Sequence, residues 1–174
     1  MAIPTTTFYQ FSSSGINPVG SRHLKTHASF IKELSASSSG VLDFGTIDIS
    51  AKSHSPTKAI VFRTSNLNGG TRIENMRFWA PELPAPIGTI KYNMKILAAY
   101  VSGLALTDSS GQVPSTLPDS ANLKRTDGHT AISGTGDTEV SQWIYLNVTG
   151  NTDLVTGRYG GSSSYRYRTS FDYI

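Results

Sequence analysis

The 174-residue sequence contains no cysteine, which excludes disulfides and thiolate metal sites and leaves the redox compartment open. It opens MAIPTTTFYQFSSSG, a stretch without the basic start or the apolar run of about 7 or more residues that a secretory signal needs. Folding in the cytoplasm where the chain is made is therefore expected. Long hydrophobic runs are also missing. The longest, ILAAYVSGLAL from Ile96 to Leu106, is broken by Ser102 and Gly103 and falls short of the roughly 20 residues that cross a bilayer, so no membrane segment is expected. Concentrated positive charge is missing as well. The formal net charge of +3 is scattered, and the nearest approach to a cluster is Arg158, Arg166 and Arg168. On a strand, Arg166 and Arg168 share a face with Ser170 and Asp172, and a solvated outer face explains them more simply than a phosphate-binding stripe. No specific nucleic-acid partner is expected.

The patterns that announce chemistry are equally scarce. His23 and His27 have the i, i+4 spacing that places two imidazoles on one helical face, but the intervening Glu and the third ligand of a zinc motif are absent. The TDGHT stretch sets Asp127 near His129, and turn formation by Asp127 and Gly128 accounts for it. No Gly-x-Ser-x-Gly elbow occurs, and GTGDTE, Gly134 to Glu139, lacks the Lys and the following helix that cradle a phosphate. Asp43 with Asp48, and Asp137 with Glu139, are the only acids close enough to pair, and loop or edge solvation explains them. Asn147 opens an Asn-Val-Thr acceptor pattern, which has meaning only in a secreted glycoprotein. These readings predict a non-enzymatic chain with no catalytic residue, no metal and no cofactor.

What the sequence does have is β patterning. In YRYRTSFDYI, Tyr165 to Ile174, aromatic residues alternate with polar ones at the period of two that a half-buried strand requires. Tyr167, Phe171 and Tyr173 are thereby predicted to point inward. TIKYNMKIL alternates in the same way, with Ile90, Tyr92, Met94 and Ile96 on one face and Lys91, Asn93 and Lys95 on the other. VLDFGTIDIS shifts phase at Gly45, where a bulge is cheap. KAIVFRT, the SNLNGG turn and TRIENMRFWA read as a hairpin. PELPAPIG, with three prolines, reads as an extended connection between sheets. EVSQWIYLNVTG is a continuous β-branched and aromatic run, and residues 107 to 139 read as a long, exposed polar loop.

A chain of this length suits one domain, burying roughly 70% of the surface its unfolded form exposes. The expected fold is all-β, an antiparallel β-sandwich of immunoglobulin-like or jelly-roll type. Residues 1–40, rich in Ser and Thr and closed by SASSSG, read as an N-terminal arm and linker, and 41–174 as the sandwich domain. Within the arm, HLKTHASFIKEL places Leu24, Phe30, Ile31 and Leu34 at a spacing that suits a short helix or a strand. The arm's few apolar groups, Ile3, Phe8, Tyr9 and Phe11, have too little of their own domain to bury against on this reading. Its removal is then expected to leave the melting temperature nearly unchanged. Four aromatics are candidates for a sugar-binding platform. Trp143 and Tyr165 lie in strands where core burial is the default, which leaves Trp79 and Tyr159 as possible glycan contacts under the alternative reading of a carbohydrate-binding or receptor-adhesion module.

Two stretches carry a resemblance. VLDFGTIDIS followed by KAIVFRTSNLNGGTRIENMRFW resembles the opening strands of immunoglobulin-like β-sandwiches of structural and surface proteins. WIYLNVTGNTDLVTGRYGG leading to YRYRTSFDY is similar to the closing hairpin of small virion proteins of tailed bacteriophages. The resemblance implies a virion component of the capsid, neck or tail that binds copies of itself and other virion proteins as a homo-oligomer, with Ile3, Phe8, Tyr9 and Phe11 as the assembly arm.

Overall fold

The computed structural model describes residues 4–11, 31–34, 44–45, 47–48, 51, 53–82, 90–135, 139–150 and 166–174. Its described part is all-β. The strands are β1 (Thr5–Phe11), β2 (Ile31–Leu34), β3 (Lys58–Asn66), β4 (Ile73–Glu82), β5 (Ile90–Leu97), β6 (Gly111–Gln112), β7 (Trp143–Gly150) and β8 (Arg166–Tyr173). They form a six-stranded sheet in the order β2-β1-β3-β7-β5-β6 and a two-stranded sheet of β4 and β8, with every pairing antiparallel.

Alternation places one side chain of each pair on a shared face. Ile60 and Phe62 of β3, Tyr92 of β5, and Ile144, Leu146 and Val148 of β7 join Ile73, Met76, Phe78 and Ala80 of β4 in one buried cluster. Tyr167, Phe171 and Tyr173 of β8 pack against it, as the alternation predicted, while Arg168 and Asp172 are exposed. Aromatic rings join the two sheets. Phe8 lies 5.5 Å from Phe62 and 5.8 Å from Phe78, Phe78 stacks on Tyr167 at 5.4 Å, and Phe62 meets Phe171 at 5.9 Å. Such tilted and offset contacts add to what area burial alone contributes.

The opposite face of the large sheet is covered as well. Ala59, Val61, Trp143 and Tyr145 form a second cluster with Leu106 and Val140, and Leu97, Tyr100 and Leu104 pack on it. The segment that leaves β5 therefore folds back over its own sheet. With a layer on each side, all eight residues of β7 are buried, which explains its unbroken apolar and β-branched sequence.

Several expectations are corrected. β1 lies between β2 and β3 of the chain's own sheet, with Phe8 opposite Leu34 on one side and Phe62 on the other. Phe8 therefore has a core to bury against. Ile31–Leu34 is a strand, whereas residues 21–30 and the SASSSG linker lie outside the described residues. β3 and β4 flank the Asn-Gly turn without pairing, because β1 and β7 occupy both edges of β3. β4 must pass to the other sheet. The turn itself keeps its predicted chemistry, with Asn68 at φ 48° and Gly69 at φ 89° and the Gly70 amide donating to the Leu67 carbonyl at 3.0 Å. β7 and β8 also belong to different sheets, so the closing segment is no hairpin. Pro81, placed by sequence in a connection, ends within β4. Phe44 and Ile47 pack on the core but belong to no strand.

The segment 107–139 differs most from its reading as an exposed loop. Val113, Leu123 and Ile132 are buried in the core, and the backbone seals the edge of β4 that β8 leaves open. Ala80 N donates to Pro114 O at 2.9 Å, Leu123 N to Met76 O at 3.2 Å, and Ile73 and Ile132 exchange two bonds of 2.9 Å. The Asn122 side chain mimics a strand residue, accepting from Phe78 N at 2.7 Å and donating to Phe78 O at 2.8 Å. Three apolar residues spaced 9 or 10 apart show no periodicity, so the sequence pattern gave no notice of them.

Candidate functional site

The most elaborate polar arrangement lies on the covered outer face of β5 and β7. Odd-numbered residues point there, and beyond Trp143 and Tyr145 the face turns polar at Asn147, opposite Asn93, and at Thr149, opposite Lys91. Asn93, Asn147 and Thr149 are 0%, 2% and 4% exposed, so each needs internal partners. Asn93 Nδ2 donates to Asn147 Oδ1 and to Thr149 Oγ1, both at 2.9 Å, and Asn93 Oδ1 accepts from Gln112 Nε2 at 2.8 Å. Asn147 Nδ2 donates to the Leu106 carbonyl at 2.9 Å. The Val101 amide donates to the Tyr145 hydroxyl at 2.5 Å. These bonds fasten the covering segment to the sheet, and burial pushes the Tyr145 phenol up to about 12 despite the Val101 amide.

At the rim of this network stand His54, Asp108 and Lys91. His54 Nδ1 is 2.6 Å from Thr149 Oγ1 and 3.9 Å from Asp108 Oδ1, and Lys91 Nζ is 3.3 Å from Asp108 Oδ2. Partial burial pushes the Asp108 carboxyl up, but hydrogen bonds from Thr149 and Lys91 and the charge of Lys91 outweigh it and hold the pKa below the usual value. Thr149 Oγ1 thus accepts from Asn93 Nδ2 and shares a hydrogen bond with His54 Nδ1. A threonine, a histidine and an aspartate thus sit together, but not as a relay. Nucleophilic activation requires the hydroxyl on one ring nitrogen and the carboxylate on the other. Here both meet Nδ1, and the Thr149 oxygen is buried and fully engaged. The arrangement holds a backbone segment in place.

A second polar cluster ties residues 125–133 to Glu139. Arg125 makes paired bonds to Asp127 at 2.9 and 2.5 Å and to Glu139 at 2.9 and 3.1 Å. Glu139 also accepts from Ser133 N at 3.0 Å. Asp127 Oδ1 accepts from His129 N at 3.1 Å, and Gly128, at φ 89°, donates to Arg125 O. This is the turn that the TDGHT stretch predicted. The Arg125 guanidinium, ahead of desolvation, pulls the Asp127 carboxyl down to about 2. A carboxyl with a depressed folded pKa contributes stability above its unfolded value of about 4 and loses it as pH falls through the folded value. The melting temperature is therefore expected to fall between pH 4 and 2, and Asp127→Asn to flatten that limb in a melt-against-pH series. An unchanged slope would remove this pair from the acid response.

Of the residues singled out by sequence, Phe8 is half-buried and packs against the core. Ile3, Tyr159, Tyr165, His23 and His27 lie outside the described residues, as do the side chains of Tyr9 and Phe11. Trp143 is buried, as its strand position implied. Trp79 is half-buried on the outer face of β4, directly opposite Arg168 of β8. Asn147, the glycan-acceptor candidate, has its amide bonded internally and is closed to modification in the folded chain. Sequence reading placed Asn93 on the correct side of β5 but missed that a later segment covers that side. It missed Thr149 and His54 entirely, since their proximity depends on an isolated bridge between His54 and Thr149, 95 residues apart. Among the described residues no three His, Asp or Glu side chains cluster as metal ligands, and no helix is long and apolar enough to cross a membrane. No family model, curated protein or solved structure matches this chain.

Proposed function

We propose that the chain is a non-enzymatic structural component of a virion, acting through self-association and docking on neighbouring subunits. On this reading the two antiparallel sheets form a β-sandwich whose loops and outer faces carry the contacts. The observation that supports it best is the state of the polar groups. The place among the described residues where Thr149, His54 and Asp108 meet is engaged in fastening the 98–110 segment across the large sheet. The extensive internal tethering of long connections suits a protein whose loops must present fixed surfaces to others. The virion setting rests on the sequence resemblance of the C-terminal stretch alone, since β7 and β8 do not pair as the hairpin that resemblance implied. Because β1 is tied into the chain's own sheet, the docking contacts are assigned to the folded surface, with the segment 107–139 foremost.

The test compares the protein's mass in solution with its presence on purified particles. The expected result is concentration-dependent oligomers by light scattering and a stoichiometric band on particles, with matching density by electron microscopy. A chain that stays monomeric at millimolar concentration and is absent from particles overturns the proposal.

A further inference from the structure

Segment 98–110 leaves β5 after Leu97 and returns to the same strand, because β6, which follows it directly, pairs Gly111 with Met94 and Gln112 with Asn93. Its two ends are therefore fixed a few residues apart on β5, the geometry of a compact loop closed on itself. Between those ends it lies across the outer face of the large sheet. Leu106 is 2% exposed and joins Trp143 and Tyr145 in the second cluster, Tyr100 and Leu104 pack on it, and the Tyr100 ring stands edge-on to Trp143 at 5.0 Å.

That cluster is separate from the one between the two sheets, and the strands beneath it are joined by their own ladders. Lifting the segment uncovers this face without breaking a strand pairing or disturbing Phe62, Phe78 and Met76. Side chains of the sheet and its rim hold it down. The Tyr145 hydroxyl takes the Val101 amide at 2.5 Å, the Asn147 amide takes the Leu106 carbonyl at 2.9 Å, and Asp108 meets Lys91 at 3.3 Å and His54 at 3.9 Å. Asp108 is the one charged residue of 98–110, and it sits where the segment meets a basic side chain of β5 and another from the stretch before β3. The tip is exposed, with Val101 at 41% and a turn at Gly103, φ 64°. A segment with few buried apolar groups, an open tip and ties to side chains opens at lower cost than the fold as a whole.

We propose that 98–110 is a strap that opens from the sheet as a unit while both sheets stay folded, and that Asp108 is the clasp that holds it shut. This motion belongs to the isolated chain and does not depend on self-association. Because the chain has no cysteine, a single buried thiol can report each kind of opening by its rate of reaction with a disulfide reagent. Leu106→Cys reports the strap, and Met76→Cys, at a fully buried site of β4 in the other cluster, reports the sheets. Leu106→Cys is expected to label at least about a hundredfold faster than Met76→Cys. Equal rates overturn the strap. Adding Asp108→Asn is expected to speed labelling at position 106 at least about threefold and to leave position 76 unchanged. An unchanged rate at 106, or equal acceleration at both positions, overturns the clasp. Hydrogen exchange of the Val101 amide, followed by NMR in the unmodified chain, guards against loosening by the thiol substitution itself. Val101 is expected to exchange faster than the amides of β7 and slower than a free peptide amide, and exchange at either limit overturns the strap however fast Leu106→Cys labels.

Discussion

A variant lacking residues 2–11 is expected to lose more than about 4 kcal/mol of stability and to melt far below the intact chain. The sum starts from Phe8. Phe8 is half-buried and packs on both Phe62 and Phe78, so loss of its side chain alone costs about 2 to 3 kcal/mol. Deletion also removes the ladder from Thr5 to Gln10 along β3 and strands β2, which has no other strand partner among the described residues. Against a typical total of about 5 to 15 kcal/mol, such a loss brings the chain to the margin of folding. An arm would behave in the opposite way, since a segment without intrachain packing can be removed at almost no cost. Urea unfolding followed by circular dichroism decides the matter, and a midpoint equal to that of the intact chain would remove β1 from the fold.

Phe78→Ala is expected to cost about 3 to 5 kcal/mol. Phe78 is fully buried, and it is the ring of β4 that reaches both ways, to Phe8 of the large sheet and to Tyr167 of its own sheet. Truncation leaves a cavity where the two sheets meet, and neighbours held by hydrogen-bonded strands collapse into it only partly. Phe171→Ala is the instructive comparison. Strand alternation alone implies a fully buried ring and an equally large loss, but Phe171 is half-buried on β8, with Phe62 as its ring neighbour among the described residues at 5.9 Å, so about 2 kcal/mol is expected. Equal midpoints for Phe78→Ala and the parent would show that the aromatic bridge does not hold the sheets together.

The all-β class, the inward faces of β5 and β8, and the Asn68-Gly69 and Asp127-Gly128 turns were legible in the sequence. Each depends on interactions between residues only a few positions apart: side chains alternate every two residues along a strand, and Asn, Asp and Gly relieve positive φ locally. Which strand lies beside which was not legible. Adjacency in the chain suggested that β3 pairs with β4, and the long-range claims of β1 and β7 on the edges of β3 overrode it. The same holds for Leu123 and Ile132, isolated apolar residues in a polar stretch, and for Phe8, whose partners are 54 and 70 positions away. It holds also for the Asn93, Asn147 and Thr149 network, polar residues whose burial depends on a segment folding back over them. Local periodicity determines which face of a strand is apolar. Only tertiary structure decides what covers each face, because burial is a property of contacts between distant segments, and a sequence pattern records preference for a covered face without recording the cover.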